Sequence, residues 1–236
     1  METANQQFLF SALLYLGFGE KLQDTLTKEM ESGIPEFELR FNGSFDLLPV
    51  TARLFFKRSL PETYYHFYKY SLQLEDKSHE FEVYKGWGVT LKEGYNLLCG
   101  RAVYKKWRGK DDTKGQGWIQ LDLSKPENEG YVIHAWYDDH GFDIAAAVAA
   151  LQIELPSSNW DMAMLYRSLE RGNLQAVALM ENGVARKSCI CANPKDKNIL
   201  VLPDIRNPEF EEHVLTHDIE QVLNKKKSKR AKAATK

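Results

Sequence analysis

The chain has 236 residues, and its 31 Lys and Arg nearly balance 33 Asp and Glu, for a formal charge of −2. The balance hides a division: residues 225–236 hold seven bases and no acid, leaving the first 224 residues at −9. With 43% hydrophobic and 12% aromatic residues and a mean hydropathy of −0.46, the composition excludes general disorder, and no apolar run approaches the ~20 residues that span a bilayer.

The opening METANQQFLFSALLYLGFGEKL lacks the leading positive charge and small-residue cleavage site of a signal peptide. It reads as an amphipathic helix of a cytoplasmic protein. Residues 5–31 are predicted helical with an interruption at Gly17-Phe18-Gly19, and Leu22, Leu26 and Met30 form a stripe in the second half. Gly33-Ile34-Pro35 ends it.

Strand patterns follow. Phe37, Leu39 and Phe41 alternate with charged residues, Val50, Ala52, Leu54 and Phe56 give a second alternating run, and Asn42-Gly43 is the turn signal between them. In ETYYHFYKYSLQLE strict alternation puts Tyr64, His66, Tyr68, Tyr70, Leu72 and Leu74 on one face, and Tyr65, Phe67, Lys69 and Ser71 on the other. Phe81 and Val83 mark a fourth strand, so residues 1–89 read as a helix plus a four-stranded antiparallel meander.

Thr90-Leu91-Lys92-Glu93 is a capping box opening a helix that stops at Gly100. Strands are expected near 101–108, 117–123 and 130–137, then a helix over 142–151. Ser157 or Ser158 caps a further helix that carries Met162, Leu165 and Leu169 and ends at Gly172. Strands over 174–181, 184–192 and 198–202 complete the pattern. Helix, glycine and three strands thus occur twice within residues 90–205, an α-β-β-β repeat. The fold class is α+β, with antiparallel sheets packed with helices. Residues 206–236 read as an amphipathic helix over 209–223 and a disordered basic tail.

Several motifs together carry a resemblance: Gly17-Phe18-Gly19-Glu20, Thr90-Leu91-Lys92-Glu93 with Asn96-Leu97-Leu98, Gly100-Arg101-Ala102-Val103, and Trp118-Ile119-Gln120-Leu121-Asp122. Others are Tyr137 with Gly141-Phe142-Asp143, Ser168-Leu169-Glu170 with Gly172-Asn173-Leu174-Gln175, and Ala192-Asn193-Pro194. In their order along the chain they resemble an uncharacterised family of Bacteroidetes proteins, often encoded on conjugative or mobilisable elements. Residues 158–202 resemble the small module of the DUF3945 type. The resemblance implies a cytoplasmic accessory protein of mobile DNA and brings no catalytic residues with it.

The tail bases Lys225, Lys226, Lys227, Lys229, Arg230, Lys232 and Lys236 read as a phosphate-binding arm; solubilisation and folding back on the acidic body are the competing readings. Tyr64, Tyr68 and Tyr70, with His66 on their face and Lys57, Arg58 and Lys69 near in sequence, read as a platform for unpaired bases, against ordinary sheet packing. His134, Asp138, Asp139, His140 and Asp143 are ligand types suited to a metal or to acid–base work, against a polar turn with Asp143 as a helix cap. Cys99, Cys189 and Cys191 are few and odd in number, which fits reduced thiols. The expectation is a non-enzymatic, nucleic-acid-associated protein with no cofactor, no structural metal and no membrane partner. The alternative is a protein-interaction or adaptor module whose acidic body meets a basic partner.

Overall fold

The computed structural model describes residues 3–59, 64–108, 114–153, 158–181 and 184–203. The expected 209–223 helix, the basic tail and the Asn182-Gly183 turn lie outside the described residues. The chain is α+β: its described helices accompany antiparallel meander sheets. It divides into two compact units, Met1–Leu98 with 106–116 and 124–132, and 99–105 with 117–123 and 133–236.

The first unit opens with α1 (Ala4–Leu16) and α2 (Gln23–Ser32). Thr3 and Gln6 form a capping box on α1, and Gly17 ends the helix in the left-handed region at φ 89°. Leu9, Leu13 and Leu16 bury one face of α1. The strands β1 (Glu36–Phe45), β2 (Leu48–Arg58), β3 (Tyr65–Leu74), β4 (Lys77–Tyr84) and β5 (Trp87–Gly88) form one sheet in chain order. The meander therefore has a fifth, two-residue strand beyond the expected four. Helix α3 (Leu91–Leu98) opens on the predicted box, with Thr90 N–H donating to Glu93 Oε2 at 2.8 Å. It packs on β3 and β4, and Gly94 permits the close approach, since a Cβ there would come within 3.0 Å of Leu72 and 3.1 Å of Phe81.

The turn expected at Asn42-Gly43 is displaced. Both residues lie inside β1, paired with Thr51 and Val50, and the chain reverses at Asp46-Leu47, at φ 49° and 68°. Side chains extend the ladder past the turn signal. Thr51 Oγ1 donates to Asn42 Oδ1 at 3.3 Å, and the Phe41 ring covers Gly43 so closely that a Cβ would sit 2.8 Å from it.

The core of this unit lies between the sheet and its helices. Leu39, Val50, Ala52, Leu54, Phe56, Phe67, Tyr70 and Leu72 are buried there. Phe18, on the link between α1 and α2, sets its ring edge-on to Phe41, Phe67 and Tyr70 at 5.5, 6.0 and 5.2 Å.

A second sheet is formed by β6 (Val103–Arg108), β7 (Lys114–Glu127) and β8 (Gly130–Tyr137), in that order. The tip of its β7–β8 hairpin belongs to the first unit. There Glu80 N–H donates to Glu129 C=O at 3.0 Å, and Tyr131 N–H donates to His79 Nδ1 at 3.0 Å.

The second unit adds α4 (Ile144–Ala149), α5 (Asn159–Glu170), β9 (Gln175–Glu181), β10 (Val184–Asn193) and β11 (Asn198–Pro203). Asp143 and Ser158 cap the two helices. The sheet runs β11-β10-β9, with α5 on β9 and β10 and α4 on β11. Val148, Leu169, Ile190 and Ile199 form one apolar cluster, while Cys189, Cys191, Leu200 and Leu202 form another. The cysteines are unbridged, and burial pushes the Cys191 thiol up to about 12.

Candidate functional site

The aromatic strand is not regular. Phe55 pairs with Lys69 but Phe56 pairs with Phe67, so Tyr68 is an extra residue in β3, a β-bulge. The bulge reverses which residues face the core. C-terminal to it, Tyr70, Leu72 and Leu74 are buried; N-terminal to it, Tyr65 and Phe67 are, leaving Tyr64 and His66 outward. The expected row of Tyr64, Tyr68 and Tyr70 on one face is therefore broken. Tyr70 is fully buried, its hydroxyl donates to Val89 C=O at 2.8 Å, and burial holds its phenol well above its ordinary range. Tyr70→Phe would orphan that carbonyl, so it is expected to cost about 1–3 kcal/mol in urea unfolding while leaving any nucleic-acid affinity of the folded protein unchanged.

The outward face gains other residues in exchange. Register places Glu38, Phe55, Lys69 and Glu82 in one row across β1–β4, and Arg40, Arg53, Ser71 and Glu80 in the next. Phe55 and Tyr68 are half-buried there, with ring centres 6.5 Å apart. Three cations surround them: Arg53 and Lys69 lie 5.5 and 5.0 Å from the Phe55 centroid, and Lys57 Nζ lies 4.9 Å from that of Tyr68. Lys69 also pairs with Glu80 at 2.6 Å, which raises its pKa. Glu38 pairs with Arg40 at 3.6 Å. Arg40 apart, the acids sit on β1 and β4 and the rings and cations on β2 and β3, with Arg53 also 4.0 Å from Glu38. Arg58 is not among these cations; its Nη1 donates to Gly33 C=O at 3.2 Å. Phe55 and Arg53 were legible, since they alternate with the buried Leu54 and Phe56.

Beside this face the sheet opens. The β3–β4 ladder ends at Lys69↔Glu82, and β4 turns to pair Val83 with Gly88 and Tyr84 with Trp87. A groove of about 860 Å³ results, bounded by Tyr64 and His66–Lys69, by Glu82–Gly86, by Lys57, and by Ala4, Asn5 and Phe8 of α1. The Asn5 side chain binds both backbone groups of Tyr65, at 3.0 and 2.9 Å.

Four members of the 134–143 cluster, His134, Asp138, His140 and Asp143, make structural bonds. His134 Nε2 lies 3.1 Å from Asp122 Oδ2, Tyr104 O–H donates to Asp138 at 2.8 Å, His140 Nε2 lies 2.9 Å from Pro194 C=O, and Asp143 accepts from Ala145 and Ala146 N–H. Burial and the Asp138 bond push the Tyr104 phenol up to about 12. Among the described residues no three His, Cys, Asp or Glu are grouped to hold a metal ion, and no helix is long and apolar enough to cross a membrane. Lys225, Lys226, Lys227, Lys229, Arg230, Lys232 and Lys236 lie outside the described residues.

Comparison of the chain with models of protein families, with curated proteins and with solved structures returns no match, so the chemistry of this site rests on its own geometry.

Proposed function

We propose that the protein is a non-enzymatic accessory factor that associates with nucleic acid, in keeping with the mobile-DNA setting its motifs suggest. Single strands would stack on the open face of the first sheet, and the basic tail would add phosphate contacts. The observation that carries this reading is the pair Phe55 and Tyr68, outward-facing and ringed by Arg53, Lys57 and Lys69 within 5.5 Å. A stacking base would displace the long cationic side chains that lie over these rings and leave them beside its phosphates. On a body of charge −9, acids displaced to the flanking strands leave this the less repulsive approach for a polyanion.

The test is a fluorescence-anisotropy titration of labelled single- and double-stranded DNA across salt, with the full chain and a 1–224 truncation. Seven tail contacts give a slope of log K against log salt of about −6 on duplex and about −5 on single strands. Truncation is expected to remove most of that slope. Phe55→Ala and Tyr68→Ala are each expected to weaken single-strand binding by about 5- to 150-fold, the worth of one stacked base. If neither chain binds at low salt, the reading is lost, and the protein-interaction alternative, which draws on Trp160, 70% exposed on α5, takes its place.

A further inference from the structure

We propose that the groove at the open edge of β3 is a nucleotide subsite, seating one unstacked base of a bound single strand beside Tyr68 and Tyr84 with its phosphate at Lys57 or Lys85. The proposal rests on the nucleic-acid reading and locates a pocket within it. Three observations support it. The groove's volume of about 860 Å³ lies in the range of pockets that enclose a small organic ligand, ~300–1,000 Å³. Its two sides carry matching pairs, Lys57 Nζ 4.9 Å from the Tyr68 ring centre and Lys85 Nζ 5.2 Å from that of Tyr84. Each pair offers a π face for a base and a cation for the adjoining phosphate. Among the lining residues Lys57 and Lys85 outnumber the single acid Glu82, with Lys69 already paired to Glu80, the reverse of the body's overall charge.

The edge geometry favours a nucleotide over an added peptide strand. The Asn5 amide occupies the Tyr65 backbone, and the β3–β4 ladder resumes at Lys69. The interval is His66–Tyr68, ~10 Å at 3.3 Å per residue, too short for the ladder of a docked strand. It matches the span of one or two nucleotides, whose base edge would meet the backbone groups there.

A ten-residue oligothymidylate carrying one central 5-iodouracil, photocrosslinked to the full chain and mapped by peptide mass, tests the assignment. The expected crosslinks fall on Tyr64, Tyr68 or Tyr84. In parallel, Tyr84→Ala is expected to weaken binding at least about fivefold, and Lys85→Glu to lower the salt slope by about one. Lys85 is exposed at the β4–β5 turn, so its charge reversal keeps the test sound where Tyr84→Ala disturbs the hairpin. Crosslinks confined to Phe55 or the tail, with an unchanged slope in Lys85→Glu, would overturn the subsite and leave the nucleic-acid reading standing. No binding of the oligonucleotide at low salt would overturn both.

Discussion

Replacing Phe18 with alanine is expected to destabilise the first unit by about 3–5 kcal/mol, the cost of deleting a buried aromatic whose cavity cannot close. Phe18 is only 1% exposed although it lies on a link between helices. Its neighbours Phe41, Phe67 and Tyr70 come from two strands, β1 and two positions of β3, so no single side chain can move to fill the gap. Gly17 and Gly19, at φ 89° and 71°, let the chain turn the ring inward between the two helices. Urea unfolding followed by hydrogen exchange at α1 amides would read the loss within this unit. A change below about 1 kcal/mol would show that the sheet and helices repack around the vacancy. Phe18→Leu should recover part of the loss, because it restores most of the volume without the edge-on ring contacts.

Acidification from pH 6.5 to 4 is expected to remove about 3 kcal/mol through His79 alone. Burial pushes this imidazole from its ordinary 6.5 down to about 4, against the opposing pull of the Glu80 carboxylate. Its Nδ1 accepts the Tyr131 N–H, a bond only a ring unprotonated at that nitrogen can make. The folded state therefore binds the proton less readily than the unfolded chain. Stability is full above pH 6.5, falls as the pH drops toward 4, and is flat in this group below that. His79→Gln keeps an acceptor for Tyr131 without the titration, so the difference between variant and parent should grow between pH 4 and 6.5. Equal pH profiles would show that another group sets the slope. Gly130 offers a pH-independent control: a Cβ there would overlap the His79 ring and come within 3.0 Å of its Cα, so Gly130→Ala should detach the β7–β8 tip from β4 at neutral pH.

Local chemistry was well written in the sequence. The Thr90–Glu93 box, the glycines after α1, α2 and α3, the Asp143 and Ser158 caps and the alternating runs of β1 and β2 each use a signal only a few residues long. What was not legible depends on partners distant in the chain. Asn42-Gly43 has the composition of a turn, but Thr51 and the Phe41 ring hold it in the ladder. Nothing in residues 90–100 tells which sheet α3 covers; its packing on β3 and β4 is a tertiary fact. The bulge at Tyr68 is invisible to a period-of-two count, which therefore grouped Tyr70 with the wrong neighbours. The groove draws on residues 4, 5 and 8, on 57, on 64 and 66–69, and on 82–86, and no spacing rule joins those four stretches.

The extra residue at position 68 also constrains how the length of this strand can change. A β3 one residue shorter at that point would keep Phe56 across from Phe67 and leave Tyr65, Phe67, Tyr70, Leu72 and Leu74 inward, losing only the outward Tyr68 ring. The bulge thus lets the strand display one more aromatic without turning any buried side chain outward. Alignments that slide a gap freely through residues 64–69 would equate side chains on opposite faces, and the correct gap position is the one that keeps Phe56 across from Phe67.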